Sequence, residues 1–260
     1  MHRRAVEGAD YTVPGDLGDA RSLQAAVAGV DAILHLAATT HARRRRAYEQ
    51  ANVGGTERLL AAARRHGIRR FVHVSTRAIS ALGGAYSESK RRAEMAVSAS
   101  GLEHVIVRLP EVYGMGSGEG VDQILEQARD GRRILVVGDG QHEVCPVFVD
   151  DVLAPLAEAL DTERAANITY TLAGPCMTVR EFAETCARAF GAGARLASVP
   201  VAAVRVGAAV ARVVPLPIYP DQLARLRAPK PHGSQEANEK LGFAPRDLLA
   251  GLEACGASKS

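Results

Sequence analysis

The sequence predicts an α/β fold built on a parallel sheet, and three observations carry that expectation. Over the first two-thirds of the chain, short β-rich runs alternate with helical stretches, which is the order that βαβ units require. Most of those runs are near-continuously apolar, as strands covered on both faces must be. After about residue 140 the texture changes to short pieces and helices, which points to a smaller, mostly helical lobe.

In chain order, Tyr11–Pro14 and Ala32–Leu36 read as strands, the second continuous and buried. Glu49–His66 reads as a helix with apolar Leu59, Leu60 and Ala63. Phe71–Val74 is a strand, Tyr86–Ser100 a helix and Val105–Arg108 a strand. Val121–Ala128 is a helix, and Ile134–Val137 is a strand ending in the turn Gly138-Asp139-Gly140. Val147–Val149 leads into Asp150, read as the N-cap of a helix over Val152–Leu160. Thr169–Ala173 is a short strand. Thr178 and Glu181 form a capping box that opens a helix to Phe190. Val201–Leu252 is mostly helical with proline breaks. The expected division is a nucleotide-binding region over 1–145 and a substrate-side lobe over 146–260, interleaved with the sheet.

Composition excludes several classes. Hydrophobic residues make up 47% and charged residues 23% of the 260, a globular balance rather than a disordered one. The 32 basic and 29 acidic residues leave a net charge of +3, too even to point to nucleic acid. Cys145, Cys176, Cys186 and Cys255 are widely spaced with no C-x-x-C pair. That argues against a disulfide framework or a structural zinc site, and fits a reducing cytoplasm. The opening residues lack the apolar core of a signal peptide. The apolar stretch Ala197–Ile218 carries Arg205, Arg212 and three prolines, so no membrane span is expected. Arg43–Arg46 reads as a solvated loop or helix end, with an anion-binding patch as the sharper alternative.

The strongest chemical signal is Tyr86-Ser-Glu-Ser-Lys90. Four residues apart on a helix, Tyr86 and Lys90 share a face. A free phenol ionises near pH 10 and is a poor base at neutrality. A nearby ammonium stabilises the phenolate, so the tyrosine can exchange a proton with a substrate hydroxyl. The helix follows the strand ending in Ser75-Thr76, whose hydroxyls can hold a carbonyl oxygen.

With these residues in place, the sequence resembles the extended short-chain dehydrogenase/reductase family, the NAD-dependent epimerase/dehydratases. The resemblance runs from about Val13 to Val152. It is carried by Gly15-Asp16-Leu17-Gly18-Asp19, His35-Leu36-Ala37-Ala38, Asn52-Val53-Gly54-Gly55-Thr56, Val74-Ser75-Thr76, Tyr86 with Lys90, and Val107 through Gly114. Val149-Asp150-Asp151-Val152 and Leu241-Gly242-Phe243 resemble later landmarks.

The resemblance implies a Rossmann-like sheet and NAD or NADP as cofactor. It implies Tyr86 as catalytic acid/base, and Lys90 as the residue that lowers its pKa and holds the nicotinamide ribose. Thr76, or Ser75 beside it, would bond the reacting oxygen. Asp16 and Leu17 would contact adenine, and Leu36, Ala37, Ala38 and Pro110 would line the cofactor. Glu111 and Arg227 are the substrate-side candidates, with Lys230 as a further phosphate contact; a solvated face is the alternative for Arg227 and Lys230. Asn52 is expected to serve structure, and Asp150 and Asp151 to be caps.

Departures from the pattern narrow the expectation. The family opens with a strand, a glycine-rich turn and a helix that receive the pyrophosphate. No G-x-x-G-x-x-G follows a strand here, and the chain begins near what would be the end of the second family strand. An N-terminally truncated sheet, short by roughly 30 residues or more, is therefore expected, with exposed strand edges that invite homo-oligomers. Arg77-Ala78 follows Thr76 where the family's 4,6-dehydratases carry an acidic pair, which disfavours dehydration. The expected function is an NAD(P)-dependent oxidoreductase or epimerase acting on the hydroxyl or keto carbon of a small molecule, with nucleotide sugars among the candidates. The alternatives are a catalytically silent binding or regulatory relative, or a truncated gene product.

Overall fold

The computed structural model describes residues 9–114, 116–117, 119–161, 166–210, 221–233 and 235–257, with Gln222 and Arg227 described in their backbone only. The start of the chain up to residue 8 and the 211–218 part of the long apolar stretch lie outside the described residues.

The N-terminal part runs α1 (Ala20–Ala26), β1 (Ala32–His35), α2 (Arg45–Tyr48), a π-helical segment (Glu49–Gly54) and α3 (Gly55–Arg65). It continues through β2 (Arg70–Thr76), α4 (Gly84–Ser98), β3 (Glu103–Leu109), β4 (Val112–Tyr113), α5 (Gly120–Arg129), β5 (Ile134–Val137) and β6 (Glu143–Val144). Then come β7 (Val147–Phe148), a 3-10 turn (Val149–Val152), α6 (Leu153–Glu158), β8 (Ile168–Thr171), β9 (Met177–Thr178), α7 (Val179–Phe190) and β10 (Leu196–Val199). Four helices close the chain: α8 (Val201–Val210), α9 (Gln222–Arg227), α10 (Gln235–Leu241) and α11 (Leu248–Ala254).

The main sheet has the order β1-β2-β3-β8, and all three pairings are parallel. This is an α/β, Rossmann-like arrangement. Alternation along the strands builds its two faces. Phe71 and Ile106 point to one side, where they pack with Leu23 and Val27 of the α1 region, Leu59, Leu60 and Ala63 of α3, and Val97 of α4. Val72, Val105 and Val107 point to the other, against Leu156 of α6 and Leu241 of α10. Phe71 is fully buried, so truncation to alanine there costs ~3–5 kcal/mol. A third core belongs to the C-terminal part, where Ile124 and Leu125 of α5 meet Phe182 of α7, Ile134 of β5 and Leu252 of α11.

The register sets the site. Ser75 and Thr76 lie opposite Arg108 and Leu109, and Arg77 N donates to Leu109 O at 2.9 Å. The carboxyl ends of β2 and β3 therefore finish side by side, which is where open α/β sheets hold their ligands.

Three expectations need correction. Tyr11–Pro14 is not a strand. Among the described residues β1 has β2 as its one neighbour, and Tyr11 stays 68% exposed. Asp150 is not an N-cap: it lies inside the 3-10 turn, whose cap residue is Phe148. Its neighbour Asp151 instead receives Arg246, with Arg246 Nε–Oδ1 at 2.9 Å and Arg246 N–Oδ2 at 3.0 Å. Cys145 and Cys176 are joined in a disulfide. They sit one step beyond the antiparallel pairs Glu143↔Thr178 and Val144↔Met177, a directly opposed placement that sequence spacing does not reveal. The Thr178–Glu181 capping box is present as expected, and Arg43–Arg46 is exposed at the start of α2.

Candidate functional site

Helix α4 places Tyr86, and its start is built by two distant residues. Gly84 has a φ of +78°, and a Cβ there would stand 2.9 Å from Asp221 Cβ. The glycine thus meets a left-handed backbone requirement and admits the approach of α9. Asp221 uses that approach: its Oδ2 accepts from Tyr86 N at 3.2 Å and its Oδ1 from the Tyr48 hydroxyl at 3.1 Å. A carboxylate at a helix start bonds an amide that would otherwise lack a partner. Here it comes from 135 residues away.

Tyr86, Ser75 and Thr76 meet in one cleft of about 330 Å³ together with Pro110, Glu111 and Lys230. Tyr86 is 6% exposed. Burial pushes its phenol up from the ordinary value, while Arg225 and the nearby Thr76 hydroxyl act in the opposite direction. The Arg225 guanidinium lies over the Tyr86 ring, 4.0 Å from its centre, and Nη1 donates to Thr40 O at 2.8 Å. Ser75 Oγ is buried without a hydrogen-bond partner among the described residues.

Lys90 is buried behind this group. Its Nζ donates to Val74 O at 2.8 Å and lies 3.5 Å from His73 Nε2. Burial brings its pKa down to about 8, with Glu94 opposing. His73 neighbours His35 in the β1–β2 register. Burial and the Lys90 charge hold His35 down to about 4, and burial, Lys90 and His35 hold His73 well below its ordinary value.

The far wall of the cleft is charged. Arg77 is fully buried, with Nη2 3.5 Å from Glu111 Oε2 and Nη1 3.8 Å from Glu143 Oε1. Its Nη1 also donates to Pro231 O at 3.3 Å. Lys230 Nζ meets Glu111 Oε1 at 2.5 Å. Burial opposes ionisation of Glu111, yet Lys230 and Arg77 hold its carboxyl below the usual range. Lys230 therefore sits in an ion pair at the cleft. Arg227 lies in α9, and its side chain is outside the described residues.

Of the residues singled out for the cofactor, Pro110 lines the cleft, and Asp16, Leu17, Leu36, Ala37 and Ala38 are not among its lining residues. Leu36 is 58% exposed, Ala37 is exposed and Ala38 half-buried, just beyond β1. Asp16 is exposed, its Oδ1 accepting from Gly18 N at 2.7 Å. Leu17 is half-buried against Gly55, where a Cβ would stand 2.9 Å from Leu17 Cβ. Asn52 is a structural strut: Oδ1 accepts from Thr39 N at 2.7 Å, and Nδ2 donates to Thr39 O and Ser89 Oγ. Sequence reasoning missed Asp221 and Arg225, which carry no motif. The only available signal was their four-residue spacing, which puts both on one face of a short helix.

Comparisons with known proteins bear on the family and the fold. The model of the NAD dependent epimerase/dehydratase family matches residues 2–173. A 2-alkyl-3-oxoalkanoate reductase of Stenotrophomonas maltophilia (strain K279a) is 30% identical over 287 aligned positions, covering 95% of this chain and 86% of the relative. Among solved structures, a double mutant of dTDP-glucose 4,6-dehydratase from Streptomyces venezuelae, with NAD bound, is 25% identical with a TM-score of 0.71. It covers 92% of this chain and 76% of that one. UDP-glucose 4-epimerase from Thermotoga maritima shares the fold at a TM-score of 0.74 and 20% identity, covering 91% and 80% of the two chains.

The family depends on NAD. Leu36 and Ala37, exposed, and Pro110, half-buried in the cleft wall, are apolar residues of the kind a nicotinamide ring packs on. The glycine pair opening α4 offers no pyrophosphate cradle, because Ser87 and Asp221 already fill the space beside Gly83 and Gly84.

Proposed function

The chain belongs to the NAD-dependent epimerase/dehydratase family, and from that premise we propose that it is an NAD(P)-dependent oxidoreductase interconverting a ketone and a secondary alcohol. The observation that carries this reading is that the Tyr86 phenol and the Ser75 and Thr76 hydroxyls line one cleft at the carboxyl ends of β2 and β3. Two hydroxyls converging there can hold one carbonyl oxygen.

In the direction of reduction, Thr76 and Tyr86 both donate to the substrate oxygen. Tyr86 gives up its proton as charge develops on that oxygen, and in oxidation it takes the proton back. Thr76 holds the oxygen in place. Ser75, whose buried Oγ is unsatisfied among the described residues, can rotate to share that role. Lys90, Ala37, Ala38 and Pro110 would hold the nicotinamide half of the cofactor, and Asp16 and Leu17 its adenine. The bound cofactor supplies or removes the hydride at the carbon. Burial of Tyr86 and Lys90 keeps water from the proton-transfer step.

The charged wall supports reduction over dehydration. Arg77 occupies the position after Thr76 and is committed to Glu111, Glu143 and Pro231 O, so no free acid and base stand there to remove water. The S. maltophilia relative, a reductase of 3-oxo acids by name, supports a ketone of that kind as substrate, and Glu111 and Lys230 would face its far end.

One observation favours a second reading, a silent relative that binds without turnover: Lys90 Nζ is bonded to Val74 O and faces His73. The two readings separate in one experiment, in which NAD(P)H oxidation is followed with 3-oxo acids and their esters, and NAD(P)+ reduction with secondary alcohols and nucleotide sugars. Turnover that depends on Tyr86 supports the oxidoreductase. Cofactor binding in the absence of turnover with every substrate supports the silent relative.

A further inference from the structure

The cleft is lined by a cation, Arg225, that carries no sequence motif. Arg225 sits on α9 and is fixed from two sides: Nη1 donates to Thr40 O at 2.8 Å, and its guanidinium stacks on the Tyr86 ring with its carbon 4.0 Å from the ring centre. The helix that carries it is itself fastened to the same tyrosine, because Asp221 accepts from Tyr86 N and from the Tyr48 hydroxyl. Arg225 N bonds back to Asp221 O at 3.0 Å, so both side chains leave one turn of helix. Tyr48 completes the enclosure, with its ring edge-on to Tyr86 at 5.9 Å.

From this geometry we infer that Arg225 is the cation that tunes Tyr86, and that Lys90 contributes less to that task. The inference rests on the reading of Tyr86 as the acid/base group. Its physical basis is an asymmetry between the two cations. Arg225 lies over the π face of Tyr86, 4.0 Å from the ring centre, where a cation is attracted to the ring and still more to a phenolate. Lys90 Nζ is instead turned to Val74 O and His73 Nε2.

The other groups around Tyr86 do not replace Arg225. Asp221, which caps α9, opposes ionisation, and Thr76 on β2 acts in the same direction as Arg225 but is neutral. Tyr48 on α2 is itself pushed up by burial. His41, in the loop after β1, is held below its ordinary value by burial and is paired with Glu119 at 2.9 Å. Arg77, after β2, is occupied by Glu111 and Glu143. Arg225 acts through Tyr86, and is a positioning residue in that sense.

The test uses the whole chain and reads Tyr86 directly. The phenolate of Tyr86 is isolated as the ultraviolet difference between each protein and the same protein carrying Tyr86→Phe. Arg225→Met is expected to move the ionisation of Tyr86 upward by about one pH unit, a tenfold loss in acidity. Arg225→Lys should restore at least half of that shift, and Lys90→Met should move the ionisation by less than Arg225→Met does. Circular dichroism melts confirm that each variant is folded, and Arg225→Gln replaces Arg225→Met should the latter fail that control. An unchanged Tyr86 ionisation in the folded Arg225 variant, or a larger shift in Lys90→Met, would overturn the inference. The spectrum needs no turnover. A shift seen in a protein that reduces no ketone keeps the inference and removes the oxidoreductase reading. Turnover that survives with an unmoved ionisation does the reverse.

Discussion

The Nε2 of His35 lies 3.0 Å from the Thr56 hydroxyl in the buried layer beneath the cleft. Thr56 Oγ1 already donates to Asn52 O at 2.7 Å, so it accepts from the imidazole, which is therefore the neutral tautomer protonated at Nε2. Burial with the nearby Lys90 charge opposes a second proton on the ring and holds the His35 pKa down to about 4.

Acid sensitivity follows from that burial. Above pH 6.5 His35 is neutral in both folded and unfolded chains and contributes no pH dependence. As the pH falls from 6.5 to about 4 the unfolded chain takes up a proton that the folded one refuses, and stability drops by on the order of 3 kcal/mol. His73, held down in the same way, adds to the loss. Urea denaturation at a series of pH values is expected to show this decline, and His35→Leu should flatten it. A wild-type stability that holds level across the interval contradicts the assignment of His35 as buried and neutral.

Lys90 is expected to trade stability for function. Its folded pKa of about 8 lies below that of an unfolded lysine, so the native state carries the cost of a buried charge at pH 7. That cost is relieved as the pH rises through the interval between about 8 and 10.5. Lys90→Met should therefore stabilise the fold at pH 7 by on the order of 2–3 kcal/mol and give no advantage at pH 10. It should also lower turnover at least tenfold through the lost ribose contact. Thermal melts at the two pH values check the first part, and a melting point lowered at pH 7 would contradict it.

The Cys145–Cys176 disulfide closes a loop with a sequence separation of 31 and borders the charged wall, since Cys145 N donates to Glu111 Oε2 at 3.3 Å. Cross-linking a loop of that size is worth ~3–4 kcal/mol by restricting the unfolded chain. Cys145→Ser should lose that amount in oxidising buffer and match the wild type once both are reduced with dithiothreitol. Equal stability of the two proteins in oxidising buffer would show that the bond does not form in solution.

Strand β1 pairs with β2 on one side, and its other edge carries no ladder among the described residues. Unpaired edges template further pairing. We expect the 260-residue chain to associate as its concentration rises, and multi-angle light scattering measures this. A monodisperse monomer at all concentrations would show that the edge is covered.

Much of this fold was legible because the strands that build it announce themselves. Phe71-Val72 within Arg70–Thr76 and Val105-Ile106-Val107 within Glu103–Leu109 are apolar runs buried on both faces, and a parallel sheet imposes that pattern on the sequence itself. Tyr11–Pro14 offers strand-forming Tyr, Thr and Val, but a strand also needs a partner, and composition does not encode one. The cleft was legible where a motif fixes local geometry, as with Tyr86 on α4 and Ser75-Thr76 at the end of β2. Asp221 and Arg225 were illegible because their role depends on where α9 docks. The same holds for Cys145 and Cys176, which only the β6–β9 register brings face to face.

The central claim is that the Tyr86 phenol transfers the proton, and Tyr86→Phe tests it most directly. The substitution keeps the ring, and with it the stacking of Arg225 and Tyr48, while removing the transferable proton. Loss of that general acid/base group is expected to lower kcat by about 10²–10⁴-fold. Thr76→Ala should cost less, because the Ser75 hydroxyl can turn to hold the substrate oxygen. The deciding measurement is kcat for ketone reduction by folded Tyr86→Phe beside the wild type. The account predicts a fall of at least a hundredfold, and activity within about twofold of the wild type would contradict it.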